Sequence, residues 1–197
     1  MSAWEATGQS DEWYTPRYIF DALECEFDLD VASPSERLHV PARCWLTELD
    51  DGLRYAPFWH GFVWMNAPFG GRNALEPWLS AFFNHGDGIA LTPDRTSAPW
   101  FRNAWASADL VLFMPKVRFI RPDGSTGNSP STGTALWAAG ERAIDALYCA
   151  ARNGLGILAA PTHPAFPISP ADALPNAGVG HTIHDHRKIH DAGVVQA

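Results

Sequence analysis

Val63-Trp64-Met65-Asn66-Ala67-Pro68-Phe69-Gly70-Gly71 is the stretch that organises the reading of this 197-residue chain. An apolar, β-prone run over 62–65 stops abruptly at an amide, a proline and an aromatic ring, followed by two glycines. In open α/β sheets ligands bind beyond the carboxyl ends of strands. Asn66 brings an amide oxygen there, and the Ala67 carbonyl a second acceptor. Phe69 brings a face on which a flat ring can stack. Together they suit a planar heterocycle with an exocyclic amine. The same residues also suit a plain strand-to-turn junction, because Asn, Pro and Gly are turn formers.

Working outward, strand and helix patterns alternate. Towards the N-terminus, residues 26–32 alternate as a strand that ends near Asp30, with Ser33-Pro34 after it. An acid at that end can accept hydrogen bonds from a ribose or an ammonium group, or it is a solvated strand end. Before it, Thr15-Pro16 reads as an N-cap and first helical residue of a helix over 16–24, carried by Ile19, Phe20 and Leu23. Its free N–H groups suit a ligand carboxylate, or it is an ordinary capped helix. Residues 33–61 carry little regular pattern. Within them Asp50-Asp51-Gly52 is a tight turn or a second acid for the Asp30 pocket.

Towards the C-terminus, Asn73 opens a helix over Leu75, Leu79, Phe82 and Phe83 that stops at Gly86. A strand over 88–92 ends in Pro93-Asp94-Arg95, and Ser97 with Pro99 opens the next helix. Strands over 109–114 and 134–139 flank a polar, Gly/Ser-rich loop at 122–133 that reads as mobile. A helix near 141–152 and a strand over 155–159 follow. Such alternation indicates an α/β domain with a mostly parallel sheet.

Composition narrows the class. Hydrophobic residues make up 46% and charged residues 18%, which suits a globular protein with a real core. No apolar run reaches the ~20 residues that span a bilayer, and the N-terminus lacks a signal-peptide pattern. Cys25, Cys44 and Cys149 read as reduced core thiols of a cytoplasmic protein. Net charge is −8, which counts against nucleic acid as a partner unless a local basic face exists. Arg72, Arg95, Lys116, Arg118 and Arg121 are the candidates for such a face; scattered surface charge is the alternative. Residues 1–12 read as a flexible N-terminus, 13–160 as the domain, and 161–197 as a loosely ordered Pro/Ala/His-rich tail. In that tail His181, His184, Asp185, His186 and His190 match no specific zinc spacing, so no metal is expected.

Six segments, taken in order, carry a resemblance. They are Glu12-Trp13-Tyr14-Thr15-Pro16; Phe27-Asp28-Leu29-Asp30-Val31-Ala32; Asp50-Asp51-Gly52-Leu53; Asn66-Ala67-Pro68-Phe69; Leu91-Thr92-Pro93-Asp94-Arg95-Thr96 with Trp100-Phe101; and Arg118-Phe119. Over residues 12–160 the chain resembles the phage N-6-adenine DNA methyltransferase family, relatives of the Dam-type enzymes. The resemblance implies a Rossmann-like class I fold, a mostly parallel sheet with helices on both faces, and S-adenosylmethionine as cofactor. It implies double-stranded DNA as partner, in a bacterial or phage-infected cytoplasm. By analogy Asn66, Ala67, Pro68 and Phe69 form the catalytic base site. Trp13, Thr15, Pro16, Asp30, Asp51 and Asn66 would meet the cofactor.

Two departures stand out. No Gly-x-Gly loop follows the first strand. Ala67 replaces a proline, yet keeps the carbonyl and, preceding Pro68, an extended backbone bias. Cytosine N-4 or small-amine transfer keeps the same motif, and a non-catalytic cofactor-fold protein that binds DNA or a partner is the third reading. Oligomeric state is not legible.

Overall fold

The computed structural model describes residues 13–35, 39–70 and 73–161. All fall within the unit Met1–His163. The expectations for Arg72, the N-terminal 12 residues and the His-containing tail lie outside the described residues.

Among the described residues, seven strands form one sheet: β1 (Phe27–Asp30), β2 (Ala42–Trp45), β3 (Val63–Met65), β4 (Gly88–Pro93), β5 (Leu110–Met114), β6 (Thr134–Ala139) and β7 (Ile157–Ala159). Their spatial order is β2-β1-β3-β4-β6-β5-β7. Four helices flank the sheet: α1 (Arg17–Leu23), α2 (Leu75–His85), α3 (Pro99–Ser107) and α4 (Glu141–Arg152). Single 3-10 turns lie at Glu48–Asp50 and Ala56–Phe58.

Period-2 alternation sends side chains to opposite faces. Trp64, Ile89, Leu91 and Leu112 pack with Ile19, Phe20 and Leu23 of α1 and Ala143 and Leu147 of α4. Val63, Met65, Ala90 and Val111 pack with Leu75, Leu79 and Phe82 of α2 and Trp100 and Phe101 of α3. Helices therefore cover both faces, and the central strands are buried throughout.

The expected mostly parallel sheet needs correction. β1 pairs in parallel with β2 and β3, and β3 with β4. The other three ladders, β4 with β6, β5 with β6 and β5 with β7, are antiparallel. The cause is the connection over 115–133, which carries no helix. A parallel return requires a crossover, usually helical. Without one the chain turns straight back, and β6 enters between β4 and β5. Even so, β1 to β5 all run one way, so their carboxyl ends share one edge.

Strand β2 was not legible. Its Ala-Arg-Cys-Trp shows no apolar alternation, because it is an edge strand with three exposed residues. Cys44 is one of them, so the expectation of three core thiols holds for neither its burial nor its place. The 122–133 loop is ordered at its beginning by hydrogen bonds. A hairpin at its start is closed by Arg121 N to Ser125 O (2.8 Å) and Gly127 N to Phe119 O (2.7 Å). Asp123 Oδ1 accepts from Ser125 N, and hydrogen bonds from the Ser125 side chain first and its backbone N–H second hold the carboxyl below the usual range.

Candidate functional site

The strand order reverses between β1 and β3: the chain moves from β1 outward to β2, but from β3 outward to β4 in the opposite direction. Such a topological switch point opens a crevice beyond the carboxyl ends of the two strands. A cleft lies there, lined by Trp13, Thr15, Asp30, Ser33, Trp64 and Asn66, among others. Four of the expected site residues, Trp13, Thr15, Asp30 and Asn66, are thus brought together from three separate segments of the sequence.

Asn66 is the first residue beyond β3. Its Nδ2 donates to Thr15 Oγ1 at 3.2 Å. With the amide nitrogen turned to Thr15, the Oδ1 is turned away as an acceptor. This overturns the expected helix cap. Thr15 is not the N-cap; Pro16 is, with extended backbone (ψ 144°) and no side-chain cap, and α1 begins at Arg17. The buried Thr15 hydroxyl is directed at Asn66 rather than at the helix. Pro16 is buried behind it and is not part of the lining.

Asp30 closes β1 and is buried, not a solvated strand end. Its Oδ1 accepts from Ala32 N at 3.2 Å, and Leu46 N donates to its carbonyl at 2.8 Å. The turn that follows is therefore held by an acid and by the segment after β2, where the expected resemblance lacks its glycine loop. Asp51 behaves as the turn reading has it: exposed, in left-handed conformation (φ 54°), accepting from Arg54 N. It lies outside the cleft lining. The neighbouring Gly52 is needed, since a Cβ there would sit 2.0 Å from the Val31 carbonyl.

Ala67 is buried and Pro68 exposed. Phe69 is half-buried, with its ring 6.0 Å from that of Phe119 at 75°. Phe119 belongs to the 115–127 segment, which is tied back to the cleft wall. Tyr14 and Ile120 exchange backbone hydrogen bonds, 2.9 Å each way. Trp13 packs on Gly127, where a Cβ would lie 2.6 Å from the indole. Arg121 sits over the Trp13 ring at 5.5 Å and donates to Ser125 Oγ and the Thr126 carbonyl. Its guanidinium is thus built into the hairpin. Lys116 and Arg118 are exposed just beyond β5, on the same edge as Asn66, and Arg95 is half-buried beyond β4. Sequence reasoning passed over Ser33 and Phe119 as site residues. The signals were slight: a Ser-Pro three residues after the acid, and an aromatic after an arginine.

The fold is that of an α/β protein with a cleft at the switch point of its sheet. The chain belongs to the DNA N-6-adenine-methyltransferase (Dam) family, whose sequence model matches residues 5–136. That match runs from before the cleft wall into β6, so α4 and β7 lie beyond it. No curated protein and no solved structure matches the chain. At family level the chain is a DNA adenine methyltransferase.

Proposed function

We propose that the chain transfers a methyl group from S-adenosylmethionine to N-6 of an adenine flipped out of double-stranded DNA. The observation that supports this most is the Asn66–Thr15 hydrogen bond at the switch point, which leaves Oδ1 of Asn66 as the outward acceptor. S-adenosylmethionine supplies a methyl group made electrophilic by its sulfonium. The cleft suits such a molecule: Asp30 is a buried acid whose oxygens can accept from its amine or ribose hydroxyls, and Trp13 offers an aromatic wall. Trp13, Thr15 and Asp30 would hold it.

Extruding the base costs a few kcal/mol. Phe69, backed by the edge-to-face Phe119, supplies the stacking surface that offsets part of that cost. Asn66 Oδ1 and the Ala67 carbonyl accept from the exocyclic amine. Both hydrogen bonds strengthen as the nitrogen gains positive character, so they favour the transition state over the ground state. The nitrogen would bond the methyl carbon as the carbon–sulfur bond breaks, leaving S-adenosylhomocysteine, and the amine would lose one proton to solvent. No bond to the protein forms, and burial pushes the Cys25 thiol up to about 12, with Cys149 adding to the rise, far from a nucleophilic thiolate.

Lys116 and Arg118 are the proposed phosphate contacts, since among the described residues no ion pair holds them. The Rossmann-like class I reading is supported by the shared direction of β1 to β5, the helices on both faces and the switch-point cleft. Residues 13–160 are the proposed methyltransferase domain, and the cytoplasm the proposed location. Among the described residues no helix is long and apolar enough to cross a membrane.

The test is transfer of labelled methyl from S-adenosylmethionine to unmethylated DNA, followed by nucleoside analysis. Label in N-6-methyladenine is the expected outcome. Cofactor binding with no label on DNA overturns the catalytic reading.

A further inference from the structure

The buried polar side chains of the core lie near the carboxyl edge of the sheet: Thr15, Asp30, Ser33, Thr92 and Thr134. Most are visibly engaged. Thr15 accepts from Asn66, Thr92 accepts from Trp137 Nε1 at 2.7 Å, and Thr134 donates to the Pro115 carbonyl. Ser33 is different. It is only 5% exposed, and among the described residues nothing bonds to its Oγ. It lines the switch-point cleft.

The hydroxyl is held there by its backbone. Ser33 N donates to the Leu46 carbonyl at 2.8 Å, which locks the turn after β1 to the segment after β2. Pro34 follows and biases Ser33 to extended conformations. A serine in a turn commonly bonds its own neighbouring backbone; this one does not. Buried hydroxyls in native proteins are nearly always satisfied, so an orphan in a cleft marks a place completed by something else.

We propose that the Ser33 hydroxyl is a direct ligand contact, bonding S-adenosylmethionine beside Asp30 at the ligand's ribose or amino-acid portion. The inference rests on the cofactor reading above. It also gives a physical substitute for the missing glycine loop. There backbone N–H groups would meet the ligand; here the Ser33 N–H is spent on Leu46, and the side chain serves instead.

The experiment is titration of the full chain and its Ser33→Ala variant with S-adenosylmethionine, S-adenosylhomocysteine and adenosine, alongside thermal unfolding without ligand. Removing an orphan hydroxyl should leave Tm unchanged or raise it by about 2 °C. Kd for S-adenosylmethionine should weaken by about tenfold, the scale of one hydrogen bond. Equal weakening for adenosine places the contact on the ribose; weakening confined to the two amino-acid-bearing ligands places it at that end. Unchanged Kd values, with or without a lowered Tm, overturn the proposal while the cofactor reading stands. No binding by the unsubstituted chain overturns both.

Discussion

The two edges of the sheet handle polar groups in opposite ways. At the amino edge, Asp28 of β1 accepts from Phe62 N at 2.8 Å and lies within 3.5 Å of Arg43 and 3.6 Å of Arg142. Arg142 at the start of α4 also pairs with Asp87 and stacks on Phe62 at 4.8 Å. Each of these groups answers another. At the carboxyl edge, two residues further along the same strand, Asp30 borders a cleft where, among the described residues, the Ser33 hydroxyl has no partner and Asn66 turns an acceptor outward. The amino edge is finished by the protein itself. The carboxyl edge is left for something else to finish, and natural proteins place such under-satisfied groups at functional sites.

Substitutions at the two edges should therefore separate activity from stability. Asn66→Ala carries the largest expected effect: a loss of transfer of about 10²-fold or more, the scale of removing one transition-state hydrogen bond. Its Tm and its affinity for S-adenosylmethionine should stay close to those of the parent. Turnover within a fewfold of the parent would remove Asn66 from the mechanism.

Thr15→Val comes next. It deletes the hydroxyl that orients the Asn66 amide, and kcat should fall by about tenfold, the value of one hydrogen bond. KM for DNA should hold, and Thr15→Ser should restore the rate. Failure of the serine variant to rescue would show that the methyl group, not the hydroxyl, matters.

Asp28→Ala should do the reverse: transfer intact, stability lowered by about 1 kcal/mol, since the ion pairs are half-exposed and screened, which is about 3 °C in Tm. The pH dependence has a definite sign. The Phe62 N–H first, then Arg43, Arg142 and His60, lower the folded carboxyl below its ordinary value. Its contribution is complete above the unfolded value of about 3.9 and is lost as pH falls through the lower folded one. The Tm gap between parent and variant should be constant near neutrality and close in acid. A gap that widened in acid would refute the assignment.

The smallest effect concerns the thiols. Cys44 is exposed on edge strand β2, whereas Cys25 is half-buried with its thiol pushed up to about 12. A thiol reagent at pH 7 should modify Cys44 first, with little effect on transfer, and Cys25 only on unfolding. Mass spectrometry of the labelled chain decides between them.

The sequence alone specified what depends on neighbours along the chain. Apolar runs ending in turn residues located β1, β3, β4, β5 and β6. The 3.6-residue pattern with Gly86 and Pro99 located α2 and α3, and the Asn66-Ala67-Pro68-Phe69 segment marked the end of β3. Edge strand β2 escaped because an exposed strand has no buried face to pattern. Tertiary structure decided what depends on partners distant in sequence. It placed β6 antiparallel between β4 and β5, because a helix-free connection turns straight back. It moved the Thr15 hydroxyl from a helix cap to Asn66, 51 residues away. It kept Asp51 at a turn, drew Arg121 into a hairpin, and left Ser33 orphaned in the cleft. Local propensity reports which residues can bond; only packing decides which of them are left with no one to bond to.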